Sequence, residues 1–290
     1  MLFIYLRHYC FFGILNKSMV FVDRIMGSYL NAGSVSYLGY AAKLNLFIVL
    51  LSSSVSTVFF PYFSSSASKK DLDSLSSQIQ TAIKATFFIT IPSTFGLLIL
   101  GEEVISVIFQ RGAFDVTSTH RTYVALLCYC MIPIMTPVAH VVASAYYSLK
   151  DTKSPVIFNF MTFLINVSLN YILMIRFGFS GIAIASSISQ VLLMSCMYFY
   201  LPKRNIHIDN RLITVCVCKI LFCASLMVVV IMSIKHFILV ETLFYKITLV
   251  AGLSFVGGIV YIFFAYVVGL VDIKTIQDLY LQTFNKKDVK

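Results

Sequence analysis

The sequence predicts an all-α integral membrane protein with about eight transmembrane helices. Three observations carry the prediction. Of its 290 residues, 59% are hydrophobic and 12% are charged, where a soluble globular chain is about half apolar and about a quarter charged. The apolar residues gather into eight long stretches, each near or above the roughly 20 residues that a hydrocarbon layer of about 30 Å demands. Lysine and arginine collect in alternate loops between those stretches, the pattern that orients membrane proteins.

The stretches run over 8–31, 35–63, 78–100, 121–148, 154–175, 179–201, 212–235 and 243–271. Residues 1–31 read as one long or broken span rather than a cleaved leader. Arg7 and His8 interrupt the first apolar run, no small-residue cleavage site follows it, and apolar sequence resumes at Met19. The third span contains Pro92, and the fourth contains Pro133 and Pro137. An interior proline removes one helical hydrogen bond and bends the helix. Bent helices in transporters line cavities or act as gates, so these three are gating candidates, with a packing kink as the alternative.

Between the third and fourth spans lies the loop Gly101–His120. Its segment from Glu102 to Phe114 predicts a short amphipathic helix ending at Gly112, after which Asp115 or Thr117 caps the next span. In the fifth span, Asn159, Asn166 and Asn170 form one stripe at spacings of seven and four, suited to hydrogen bonds between helices. The small-residue run Gly181–Ser189 predicts close packing of the sixth. The tail 272–290 is too polar to span. Its apolar positions Ile273, Ile276, Leu279, Leu281 and Phe284 fit a short interfacial helix with a solvated basic end.

Counting loop charges, one side holds 12 of the 22 basic residues, including Lys69, Lys70, Lys150, Lys153, Lys203, Arg204 and Arg211, and the other holds five. Both termini are therefore expected in the cytoplasm. The formal net charge of +10 invites a nucleic-acid reading. Yet the basic residues lie singly or in pairs, with no basic arm or basic–aromatic platform; anionic membrane lipids account for them. No pair among the seven cysteines has zinc or redox spacing. Phosphate-binding, metalloprotease and nucleophile-elbow motifs are absent, so neither catalytic residues, nor a metal, nor a cofactor is expected.

Charge inside the spans is the chemically informative feature, because an ionisable group at bilayer depth costs several kcal/mol unless it faces a wet cavity or a partner. Asp23 and Arg24 lie inside the first span and Lys43 inside the second. Lys17 and Arg24, seven residues apart, share a helix face. Two roles fit. Lys17, Arg24 and Lys43 form a cationic lining for an anionic head group; or Asp23 neutralises a neighbour, best across helices as an Asp23–Lys43 pair, since adjacent residues do not face each other. Lys84 and Lys219, near span ends, are expected to snorkel. His140 is expected to be a hydrogen-bonded packing residue.

Several blocks together resemble the MurJ/MviN lipid II flippases of the MOP exporter superfamily. They are Val22–Leu30, Ala32–Ser36, Tyr40–Leu44, Phe60-Pro61, Ile108–Phe114, Ala145–Pro155 with Asn166 downstream, and Gly178–Ser187. Order and spacing match over roughly residues 15–205. The resemblance implies two six-helix lobes plus two further helices, the lobes rocking around a cationic cavity that holds the pyrophosphate of an undecaprenyl-linked peptidoglycan precursor. This chain looks like the second lobe (1–205), the two additional helices (206–271), whose family counterpart forms a groove for the lipid tail, and a basic tail (272–290).

The implied activity is flipping of lipid II by alternating access in the bacterial inner membrane, with an N-terminal lobe or second chain as partner. The alternatives are a non-transporting piece of a split flippase gene, or a flippase of another polyprenyl-linked glycan. Where the family often reads Tyr-Ala-Asp-Arg-Leu in the second span, this chain has Ala42 and Lys43. Lysine keeps the charge without the bidentate phosphate geometry of arginine.

Overall fold

The computed structural model describes residues 19–237 and 243–270, which are helical apart from short connections. Lys17, the first half of the first expected span and the tail 272–290 lie outside the described residues. The helices are α1 (19–28), α2 (Ser34–Ser68), α3 (Leu72–Ile99), α4 (Gly101–Phe109), α5 (Val116–Cys128), α6 (Ile132–Ser148), α7 (Lys153–Phe177), α8 (Phe179–Tyr200), α9 (Asn210–Phe237) and α10 (Leu243–Val267). Among the described residues seven segments are long and apolar enough to cross a membrane, with α5 and α6 together making one crossing.

The α1–α2 link turns at Gly33, whose φ of 92° places a would-be Cβ 2.6 Å from the Tyr37 hydroxyl oxygen. That φ favours glycine, and a Cβ would also oblige the Tyr37 ring to move aside. The 35 residues of α2, at 1.5 Å per residue, span about 52 Å, well beyond the hydrocarbon layer. This helix is central and packs on α3, α5 and α6. The α7–α8 hairpin joins it through α8, and the α9–α10 pair leans on α3 and, through α10, on α4.

Lipid tails are as apolar as leucine, so association inside the membrane depends on close fit and interhelical hydrogen bonds. Both are visible. A Cβ on Gly181 would lie 2.2 Å from the Leu173 carbonyl oxygen, so only glycine lets α8 approach α7 this closely. Buried Tyr146 donates from Oη to the Met197 carbonyl at 2.7 Å, and Tyr261 donates to that of Phe88 at 3.0 Å. Those bonds lock α6 to α8 and α10 to α3.

The prolines divide. Pro92 and Pro137 lie inside α3 and α6. Pro133, expected inside the fourth span, instead sits in the first turn of α6, where the missing N–H would have had no helical partner and the ring is tolerated. It marks a break at Tyr129–Met131 rather than a bend. Pro61 inside α2 is a further interior proline. The amphipathic α4 stops at Phe109, three residues short of the expected Gly112, because Gln110 leaves helical geometry at ψ 84°. Asp115 does cap α5, accepting from the Ser118 N–H at 2.8 Å.

Two of the basic loops share one construction. Lys70 and Lys150 adopt left-handed φ values of 58° and 62°, and the next N–H closes the helix end by donating to Ser66 O at 3.0 Å or Tyr146 O at 2.9 Å. The following aspartate then opens the next helix, Asp71 accepting from Ser74 N at 3.0 Å and Asp151 from Ser154 N at 3.1 Å. Asp151 is also bridged by Arg204 at 2.6 Å. Burial pushes its carboxyl up, but the Ser154 hydrogen bonds and the Arg204 charge outweigh that and hold it below the usual carboxylate range.

Candidate functional site

α2 separates two cavities. The inner one, about 500 Å³, lies between α1, α2, α6, α7 and α8 and is lined by Asp23, Arg24, Ala42, Asn45, Thr136, His140, Asn166, Ser186 and Gln190 among apolar neighbours. The larger, about 840 Å³, is an apolar groove between α2, α3, α4, α9 and α10. Phe47, Leu51, Phe88, Pro92, Val104, Ile108, Met227, Ile231 and Tyr261 form its walls, and Lys43 is its one basic residue among the described residues. Ala42 and Lys43 thus open onto different cavities, as neighbours about 100° apart around a helix can.

Asp23 is buried and held from two other helices. Asn170 donates to its Oδ1 at 2.7 Å and Ser186 to its Oδ2 at 2.7 Å. Asn170 also donates to Asn166 Oδ1 at 3.2 Å, and Asn166 to Ser186 at 3.3 Å. The asparagine stripe of α7 therefore does join helices, as its spacing predicts, and what it holds is a carboxylate. An amide N–H and a hydroxyl O–H thus converge on the two Asp23 oxygens from two other helices. Groups of three or more histidine, cysteine or acidic side chains are absent among the described residues.

The expected Asp23–Lys43 pair does not form. Among the described residues, no basic group lies within ion-pair distance of Asp23, because α2 turns Lys43 to the opposite cavity. Nor do Arg24 and Lys43 share one lining: each is exposed in a separate cavity and neither meets a carboxylate among the described residues. Lys43 instead lies over the Tyr40 ring, 5.1 Å from its centroid. His140 also departs from expectation. Its backbone oxygen accepts from Ser56 at 3.3 Å, while its ring lines the inner cavity without a hydrogen bond to any described residue.

Pro92 borders the groove directly. Pro137 belongs to the α6 turn that presents Thr136 and His140 to the inner cavity. Lys219 caps α10 by donating to the Val268 carbonyl at 3.1 Å. At the end of the groove away from the basic loops, Glu103 of α4 pairs with Lys235 of α9. Asn45, Ser186, Gln190 and Tyr40 went unsingled in the sequence. Only Asn45, a buried amide within an apolar helix, carried a signal that would have found it.

Comparison with known proteins gives one consistent set of relatives. A family model described as lipid II flippase MurJ matches residues 11–253. The protein named "Probable lipid II flippase MurJ" from Rickettsia prowazekii is 27% identical over 259 residues, covering 87% of this chain and 51% of that protein. The protein of the same name from Vibrio cholerae is 30% identical over 189 residues, covering 65% and 35%. Among solved structures, a lipid II flippase MurJ in an inward closed conformation superposes with a TM-score of 0.75 at 25% identity, covering 88% of this chain and 51% of that one. An outward-facing multidrug transporter of the MATE family, in the MOP superfamily, superposes at 0.60 with 15% identity over 78% of this chain, a likeness of fold. The chain spans about half the length of the Rickettsia relative and about a third of the Vibrio one.

Proposed function

This chain belongs to the MurJ family of lipid II flippases, and from that premise we propose that it is the cation-bearing lobe and tail-binding groove of a lipid II flippase. As a family member with at least seven membrane-crossing segments it is a multi-pass inner-membrane protein. Residues 1–205 form the lobe and 206–271 the two additional helices, with a basic tail over 272–290. Both termini face the cytoplasm, a placement supported by the alternation of basic loops. A complementary lobe, on the same polypeptide, a separate chain or a second copy, completes the translocation path; relatives of about twice the length support this.

The observation that carries the reading is the pair of cations on either side of α2. Arg24 and Lys43 meet no carboxylate among the described residues, and Lys43 stands at the edge of an apolar groove of about 840 Å³ that can take part of a polyprenyl tail. Moving a diphosphate across hydrocarbon is opposed by the loss of its hydration, and fixed cations along the path offset that loss. The substrate is carried, with no bond made or broken. α3, with Pro92 in the groove wall, and α6, with Pro137, are the elements whose rearrangement opens and closes the path.

The test is binding by the full chain in nanodiscs of undecaprenyl pyrophosphate against undecaprenol. The pyrophosphate is expected to bind far more tightly. Lys43→Ala, at the groove that takes the tail, weakens it about tenfold or more, the size of a charge-assisted hydrogen bond, and Arg24→Ala, in the other cavity, weakens it less. Equal binding of the two lipids, or full affinity in both variants, would overturn the proposal.

A further inference from the structure

We infer that Tyr40 is a positioning residue for Lys43, holding its ammonium at the groove's edge without neutralising it. The inference rests on the reading of Lys43 as a contact for an anionic head group. On the sequence alone, a lysine three residues after a tyrosine on a helix is unremarked. What distinguishes this pair is how the ring is fixed. Tyr40 packs against Phe109 and Phe114, with ring centroids 4.5 and 5.2 Å away, and those two rings lie 6.3 Å apart. Phe109 ends α4 and Phe114 follows its turn, so the segment joining α4 to α5 clamps the tyrosine of α2. One face of the ring is left for the Lys43 Nζ, 5.1 Å from the centroid.

The chemistry favours this arrangement for a site that must accept an anion. A free lysine chain has many rotamers, and ordering it on binding weakens affinity. A carboxylate partner would order it too, but it would cancel the charge and would have to be displaced. Ala42 supplies none, and no described acid pairs with Lys43. The face of an aromatic ring attracts a cation through its quadrupole and leaves the charge intact. Three N–H donors remain on the ammonium, so ring and phosphate can be engaged together. The Tyr40 hydroxyl makes no hydrogen bond to any described residue, so the ring alone does the holding.

The experiment reads the Lys43 resonance in the full chain with its lysines 13C-dimethylated, which keeps their charge, assigns it by its loss in Lys43→Arg, and measures affinity on the unmodified chain, whose ammonium keeps all three N–H donors. In the wild-type chain and in Tyr40→Phe, the Lys43 methyl signal lies upfield from the ring current and stays there when undecaprenyl pyrophosphate is added. In Tyr40→Leu the shift disappears and affinity for that lipid falls about two- to fivefold, the scale of an exposed cation–π contact. An unshifted Lys43 signal in the wild-type chain, or a Tyr40→Phe variant that loses as much affinity as Tyr40→Leu, would overturn the inference. A shifted signal together with full affinity in Lys43→Ala would instead contradict the head-group reading on which it rests.

Discussion

The Asn170 side chain donates a 2.7 Å hydrogen bond to Asp23 Oδ1, tying α7 to α1 through a carboxylate at membrane depth. Ser186 of α8 completes the hold at 2.7 Å, so three helices meet at one acid. In a double-mutant cycle of Asp23→Ala and Asn170→Ala, the coupling energy is expected to be about 1–2 kcal/mol. That is the upper range for hydrogen bonds between membrane helices, as befits a charged acceptor. Denaturant titration of the four proteins in detergent measures it, and additive effects would show that the contact contributes nothing.

Gly181 tests the α7–α8 seam. Its added Cβ would meet the Leu173 backbone at 2.2 Å, which no rotamer change relieves, so Gly181→Ala is expected to destabilise by about 3 kcal/mol. Gly252→Ala is the control, since nothing lies within 4 Å of a Cβ there, and it should stay within about 0.5 kcal/mol of the parent. Thermal unfolding followed by circular dichroism separates the two.

The Asp151–Arg204 bridge gives a pH dependence with a definite sign. Because the folded carboxyl is held below its ordinary range, the bridge stabilises above the unfolded value of about 4 and is lost as pH falls through the lower folded value. Between pH 8 and 5 the loop 149–155 should therefore show constant protection from hydrogen exchange, with loosening confined to stronger acid. Asp151→Asn should remove that acid step. Loosening between pH 7 and 5 in the parent chain would contradict it.

Lys70 and Lys150 occupy backbone geometry that disfavours a side chain by about 1–2 kcal/mol, partly offset by glycine's greater freedom when unfolded. Lys70→Gly and Lys150→Gly are each expected to raise stability by about 0.5–1 kcal/mol. Thermal midpoints at or below the parent's would show that these lysines make compensating contacts.

The helices, the asparagine stripe, the small-residue seam and the Asp115 cap were legible because each depends on spacing along a single helix. What spacing leaves open is rotation. Asp23, Arg24 and Lys43 announced themselves as charges in apolar runs, but which cavity each enters depends on how α1 and α2 are turned by neighbours far along the chain. The same holds for Tyr40, whose partners Phe109 and Phe114 come from a different loop. Pro133 and Pro137 look alike in sequence, and only the break at Tyr129–Met131 makes one a helix start and the other a helix interior.

The central claim is that the cations flanking α2 serve translocation of a lipid-linked diphosphate. The most direct measurement is the appearance of lipid II in the outer leaflet of cells depleted of their own flippase and supplied with this chain together with an N-terminal family lobe. The account predicts that flipping is restored by the parent chain and lost in Arg24→Ala and Lys43→Ala at equal membrane levels. Restoration that persists in both variants, or no restoration by the parent chain, would contradict it.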